Sequence, residues 1–138
     1  MFNFMKKRKQ KQDQKANKLR QARTQREIED QRRSVEWREK RLERMQRGYL
    51  EVGSLCESGN FKAAANAGGH SFDSSVSNVL ERAASIFHKG DHVIENHRIK
   101  AKDATAEAGV ICRRMIRREK EEFEAAKKKL ARLKGRAK

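Results

Sequence analysis

No proline occurs in this sequence, and that absence constrains the fold more than any other feature. Proline interrupts a helix because it lacks an amide hydrogen and clashes with the preceding turn, and average usage would place about seven in a chain of this length. Six of the eight glycines lie between positions 48 and 90, so the residues that favour turns are gathered in the middle. The sequence therefore predicts two long, uninterrupted helices on either side of a centre that turns.

Apolar residues recur every seven positions in the first half of the chain. A seven-residue repeat is typical of helices that pack along a seam, the line of side chains at which two helices meet. The first row of the repeat consists of Ile28, Val35, Leu42, Tyr49 and Cys56, and the second consists of Gln31, Arg38, Met45 and Val52. The pattern predicts a helix over about residues 15–57, with a seam that is polar at its start and with the first dozen residues frayed.

The second half of the chain repeats this organisation after a short central region. Residues 58–60 are predicted to end the first helix, and two short helices follow, the second of them ended by Gly90. A long helix is then predicted from about His92 to Leu133. Its apolar rows, also spaced by seven, contain Ile94, Ala101, Ala108 and Met115, followed after a shift of one position by Ile116, Phe123 and Leu130.

The fold class that follows is all-α. Two long helices form an antiparallel hairpin or coiled coil, short helices pack between them near the middle of the chain, and basic arms lie at both ends. In the hairpin, the facing positions are Leu42 with Ala108, Val35 with Met115, Ile28 with Phe123 and Leu19 with Leu130, pairs whose numbers total about 150. The alternative is a coiled-coil homodimer, in which the same rows meet between two chains.

Positive charge is concentrated at the two ends of the chain. The net charge is +16; residues 1–26 carry ten Lys and Arg against one acid, and residues 113–138 carry twelve against four. The helical body between these two basic arms, residues 27–112, has a net charge of −1. Two cationic arms on a near-neutral body indicate contact with phosphate or another polyanion, although basic runs also occur as solvated helix faces.

The residues expected to contact nucleic acid are the Lys and Arg of both arms. Along a helix face they can neutralise the phosphates of DNA or RNA without regard to base sequence. The sequence alone does not single out an Asn or Gln positioned to read bases. The candidates are Lys6, Lys7, Arg8, Lys9, Lys11, Lys15, Lys18, Arg20, Arg23, Arg26, Arg113, Arg114, Arg117, Arg118, Lys127, Lys128, Lys129, Arg132, Lys134 and Arg136.

Motifs of catalysis and cofactor binding are absent from the sequence. It contains neither HExxH nor GxSxG, and neither of the phosphate-binding loops GxxxxGK[ST] and GxGxxG. His88 and His92 are four residues apart, but Gly90 is predicted to end a helix between them, so both are interpreted as ordinary helix-end or surface histidines. The four glutamates at positions 119–124 lie on a charged helix and are assigned to i, i+4 pairing with Lys120, Lys127 and Lys128. We therefore expect no enzyme, no metal and no cofactor.

These observations favour a non-enzymatic protein that binds nucleic acid with low specificity. Such a chain would serve as a small structural component of a nucleoprotein assembly, such as a virion or a ribosome-like particle, with protein partners there. The alternative is a helical adaptor or inhibitor whose basic pole docks onto an acidic partner. Two cysteines do not form a disulfide framework, and no apolar run suits a signal peptide or a transmembrane segment. The expected location is therefore the cytoplasm or a nucleoprotein particle, and not the secreted fraction.

Overall fold

The computed structural model describes residues 2–88 and 94–137, and that part of the chain is helical throughout except for short turns. It contains α1 (Phe2–Glu57), α2 (Phe61–Ser71), α3 (Ser74–His88) and α4 (Ile94–Arg136). The long helices α1 and α4 pack antiparallel, with the two short helices between them. The all-α prediction is confirmed, whereas the predicted end of a helix at Gly90 and start at His92 lie outside the described residues.

Local side-chain chemistry explains the turns that separate the first three helices. Gly59 has a φ of 79°, a left-handed conformation that glycine adopts without strain, and it lies between α1 and α2. Asn60 caps α2 by accepting a hydrogen bond from the Ala63 amide at 3.3 Å. Asp73 accepts one from the Ser75 amide at 2.9 Å, at the start of α3. The predicted break at residues 58–60 is therefore confirmed.

Contacts divide the chain into two compact units. The terminal unit consists of Met1–Arg38 with Phe123–Lys138, and the central unit consists of Glu39–Glu122. Each long helix contributes one segment to each unit. The predicted C-terminal arm is therefore shared, because its residues 113–122 belong to the central unit and the rest belongs to the terminal unit.

The central unit contains the larger apolar core. Val76 and Leu80 of α3 and Cys112 of α4 are the largest side chains that are completely enclosed there. They pack with small residues of α2 and α4, and with Val52 of α1. At the edge of this core, Gly48 of α1 lies directly against Ser71 of α2, so the glycine permits a close approach of the two helices.

The terminal unit is a simpler pair of helix segments. Ile28 of α1 is buried, as are Ala126 and Leu133 of α4. The Gln31 side chain crosses the pair and donates a hydrogen bond from Nε2 to the Ala126 carbonyl oxygen at 3.1 Å. Along the whole of α1, every residue of the two predicted seam rows from Ile28 to Cys56 is buried or half-buried, which confirms the predicted seam.

The predicted register of the two long helices is wrong by about seven to twelve residues. Three contacts define the register that the structure has, and they are Gln31 with Ala126, Arg41 with Glu119 and Tyr49 with Arg113. Their residue numbers total 157, 160 and 162, respectively, instead of about 150. Leu19, predicted to face Leu130, is consequently 62% exposed. A repeat of seven allows the same apolar rows to meet after a slip of one repeat, so spacing alone does not fix the register.

The start of α1 also differs from the prediction. The helix begins at Phe2 rather than near residue 15. Residues 2–20 contain neither proline nor glycine, and they are rich in Lys, Arg and Gln, which are good helix formers. The basic N-terminal arm is therefore a continuation of the seam helix.

Candidate nucleic-acid interface

Nearly all of the net charge lies in the terminal unit. That unit has twenty Lys and Arg against six Asp and Glu, a net charge of +14. The central unit has fifteen against thirteen, a net charge of +2. Of the twenty candidate residues, sixteen lie in the terminal unit. Arg113, Arg114, Arg117 and Arg118 lie in the central unit.

The ten cations between Lys6 and Arg26 are exposed and electrostatically uncompensated. Every α1 residue from Asn3 to Arg23 is exposed, and Thr24 is the first whose side chain is half-buried. Among the described residues, no carboxylate lies within ion-pair distance of any of these ten side chains. Because Asp13 is the one acid in this stretch, the cations retain their full attraction for an external anion.

The cations at the end of α4 are similar, with one exception. Lys127 Nζ lies 2.8 Å from Glu124 Oε1 and 4.6 Å from the centre of the Phe123 ring, so it already has an anionic and an aromatic partner. The other candidates there are exposed, and within the described part of the chain no carboxylate pairs with them. These are Lys128, Lys129, Arg132, Lys134 and Arg136.

The four candidate arginines of the central unit lie in a more compensated environment. Arg113 Nη1 donates a hydrogen bond to the Tyr49 hydroxyl at 3.0 Å. Arg118 Nε lies 3.8 Å from Glu122 Oε1, four residues later, so this glutamate has an arginine partner where the sequence predicts lysine. Arg114 and Arg117 are exposed. Two of the four arginines, Arg113 and Arg118, therefore already have side-chain partners within the protein.

Glu119 departs from the lysine pairing predicted for the four glutamates. Its side chain is buried, with 5% of the residue exposed, and Oε2 lies 3.6 Å from Arg41 Nε on α1. The most buried row of α4 is Cys112, Glu119, Ala126 and Leu133, again spaced by seven. A glutamate between charged neighbours resembles a surface residue, and the spacing from Cys112 and Ala126 was the signal that could have placed it in the seam.

Sequence reasoning also missed a row of amide side chains on the N-terminal segment of α1. Gln10, Gln14, Asn17, Gln21 and Gln25 follow one another at intervals of four, three, four and four residues. On a helix with about 100° per residue, these intervals place all five side chains on one face. All five are exposed. The signal was the spacing itself, which is that of a seam but carries amides instead of apolar residues.

The two cysteines are buried thiols of the central core. Burial raises the pKa of Cys112 to about 11, although the neighbouring Arg113 guanidinium favours the thiolate. Burial also raises the pKa of Cys56, against a hydrogen bond with Thr105 that lowers it. Both thiols are free of disulfide bonds. Raised pKa values suppress the thiolate, so these cysteines are suited to packing and not to nucleophilic chemistry.

Residues 2–88 and 94–137 contain no group of three metal-ligating side chains placed to hold an ion. The spacing of His88 and His92 is not addressed by this finding, because the second residue is outside the described part of the chain. No described helix is long and apolar enough to cross a membrane. The chain matches no protein-family model, no curated protein and no solved structure.

Proposed function

We propose that this protein binds nucleic acid through its phosphates, without catalysing a reaction, as a small structural component of a nucleoprotein assembly such as a virion or a ribosome-like particle. The observation that carries the proposal is the charge of the terminal unit, +14 in 54 residues. Fifteen of the sixteen candidate cations in this unit have no carboxylate partner among the described residues. A charge of this density is costly to a folded protein unless a polyanion offsets it.

The physical basis of binding is the release of counterions. Each unpaired Lys or Arg that approaches a phosphate displaces a condensed cation from the nucleic acid, and this entropy gain is independent of base sequence. The candidate stretch from Lys6 to Arg26 rises roughly 30 Å along α1, a length over which a duplex presents many more phosphates than the ten available cations can contact. Phosphate contacts alone therefore give affinity with low specificity.

The proposal is tested by the salt dependence of binding. Fluorescence anisotropy with the full chain and unrelated 20-base-pair duplexes should give a linear plot of log K against log salt. The expected slope is about −5 to −7 if six to eight phosphates are neutralised. Replacing Lys11, Lys15 and Lys18 by Gln should weaken binding to every duplex and flatten the slope by about 3.

A variant of equal charge supplies the control for that measurement. It carries Lys62→Gln, Arg82→Gln and Arg98→Gln, three exposed cations of the central unit. If the terminal unit is the interface, this variant keeps the wild-type slope within about one. Equal effects of the two triple variants would mean that total charge, and not the terminal unit, drives association. No binding to any duplex at physiological salt would refute the proposal.

A second candidate function is the adaptor, in which the basic surface docks onto an acidic protein. The observation that favours it is a pair of exposed apolar side chains, Phe4 and Met5, which are 72% and 71% exposed and precede the first lysine. Apolar anchors beside a basic segment suit a protein groove with an acidic rim. Binding to an acidic protein that is lost on replacing Phe4 and Met5 by Ala, with duplex binding absent, would favour this function.

A further inference from the structure

The amide row of α1, defined as Gln10, Gln14, Asn17, Gln21 and Gln25, occupies a sector of roughly 80° on the helix surface. None of these amides takes part in a hydrogen bond with another described residue. The row therefore presents five NH2 groups that can donate hydrogen bonds and five carbonyl oxygens that can accept them, all on one side of the helix.

Gln31, further along the same helix, shows what such an amide does when it is covered. There α4 lies opposite, and Gln31 Nε2 donates to the Ala126 carbonyl oxygen at 3.1 Å. The amide row lies on the same side of α1 as this seam. Four of its amides fall between Asn3 and Arg23, where every residue is exposed, and Gln25 is exposed as well. The same side of α1 therefore contacts α4 at Gln31 and is exposed to solvent along the amide row.

Cations border the amide row on both sides. Lys9 and Arg20 each precede an amide by one residue, whereas Lys11, Lys15 and Lys18 each follow one. A step of one residue turns the helix by about 100°, so these side chains form two flanks with the amides between them. All five cations are exposed.

This arrangement is complementary to the major groove of B-form DNA. The groove is about 12 Å wide and admits an α-helix, two phosphate strands border it, and its floor carries base edges. Side-chain amides of Asn and Gln pair with N6 and N7 of adenine through two hydrogen bonds. The major groove of an RNA duplex is too deep and narrow for the same approach.

We infer that the segment of α1 from Gln10 to Gln25 lies in the major groove of B-form DNA, with the amide row on adenine edges and its cationic flanks on the two phosphate strands. This inference rests on the proposed function and deepens it, because it names the nucleic acid, the groove and the residues that read bases. Phosphate contacts still supply most of the affinity, and the amides add a preference for adenine.

Charge argues against a second copy of the chain as the occupant of this face. Two copies that met along the amide row would bring together their flanking lysines and arginines, ten cations and one acid in residues 6–26 of each chain. Like charges beside a helix seam destabilise the pair. A DNA duplex offers the opposite charge along both flanks.

The test removes one acceptor from the major groove and leaves the minor groove and the phosphates unchanged. Adenine-rich duplexes are prepared with adenine or with 7-deazaadenine, which lacks the N7 acceptor. We expect the full-length protein to bind the 7-deazaadenine duplex about tenfold or more weakly, since one such base contact discriminates by roughly this factor. The salt slope should be the same for both duplexes, because the phosphate contacts are unchanged.

An amide variant assigns that difference to the row. The changes Gln10→Ala, Gln14→Ala, Asn17→Ala, Gln21→Ala and Gln25→Ala together keep the net charge, and alanine favours the helix, which circular dichroism verifies. This variant should bind both duplexes alike, with an unchanged salt slope. The control is Gln12→Ala with Gln46→Ala, exposed amides outside the row, which should keep the wild-type difference.

Each other outcome overturns the inference in a recognisable way. Equal wild-type binding to both duplexes, with a normal salt slope, refutes the groove assignment and leaves the proposed function standing. Absence of duplex binding refutes both. Equal affinity for an RNA duplex excludes a fit that needs the B-form groove. A protein that sediments as a dimer, and as a monomer once the row is changed to alanine, shows that the row is an interface between two copies.

Discussion

Gly48 offers a quantitative test of how closely α1 and α2 approach. A Cβ at this position would overlap the Cβ and Oγ of Ser71 and would make ordinary contact, at 3.6 Å, with the Phe72 ring. The Cβ of Ser71 belongs to the start of its side chain and cannot rotate away, so α1 and α2 would have to separate by on the order of 1 Å. Overpacking of this kind costs about 1–3 kcal/mol.

Gly53, one and a half turns later on α1, is the matched control. A Cβ there meets nothing within 4 Å, so Gly53→Ala should stabilise the protein by about 1 kcal/mol through helix propensity. The same propensity gain applies to Gly48→Ala, and the difference between the two variants is therefore the cost of the clash alone. We expect Gly48→Ala to be less stable than Gly53→Ala by about 1–3 kcal/mol.

Urea denaturation followed by circular dichroism at 222 nm measures this difference, with the m-value as a check that both variants unfold in the same way. The change Ser71→Gly removes the obstructing Cβ and should cancel most of the loss in the Gly48→Ala background. Equal stability of the two alanine variants, or no rescue by Ser71→Gly, would show that α1 and α2 do not approach each other closely at Gly48.

Two further predictions concern buried groups of the central unit. Glu119→Lys should destabilise the protein by at least about 3 kcal/mol, because it buries a cation beside Arg41, whereas Glu121→Lys, with the same charge change on an exposed site, should shift stability by under about 0.5 kcal/mol in the same urea assay. Above pH 9 the unfolded Cys112 thiol ionises while the folded one, with a pKa of about 11, stays protonated, so stability should fall between these values. The loss of unfolding free energy is on the order of 2–3 kcal/mol. The urea midpoint of Cys112→Ala should therefore decline less than that of the wild type over this pH range, and identical declines would contradict the raised pKa of Cys112.

Much of the fold was predictable because the decisive signals are local. The lack of proline indicates the length of the two long helices, and the glycines in the middle of the chain indicate the turns. Asn60 and Asp73 cap helices through contacts with residues two or three positions away. The α1 seam was predictable as well, since the spacing of Ile28, Val35 and Leu42 places an apolar face on the helix regardless of which element packs against it.

The apolar rows predicted for α4 are buried or half-buried from Ala101 to Leu130, but the register of the two long helices was not predictable from spacing. Both the row through Phe123 and Leu130 and the row through Ala126 and Leu133 repeat every seven residues, so the apolar pattern fits either. The structure buries the second row more deeply and leaves Phe123 and Leu130 half-buried, and Glu119 of the second row reaches Arg41 at 3.6 Å. A cross-helix ion pair is a property of two segments together, and nothing in either segment alone marks it.

The change of residue type along α1 connects the fold to the proposed site. On the side of the helix that forms the seam, the residues are apolar at Ile28 and Val35 and become amides from Gln25 back to Gln10. If this side of α1 faced only water between Gln10 and Gln25, lysine or glutamate would serve there as well as an amide. The cations of this segment instead lie on the two flanks of the amide row. Uncharged groups that donate and accept hydrogen bonds, kept in line over four turns, suit a partner that presents fixed donors and acceptors at its centre and negative charge at its edges. Under the proposed function, the replacement of apolar residues by amides within one continuous helix would mark the point at which the partner changes from protein to nucleic acid.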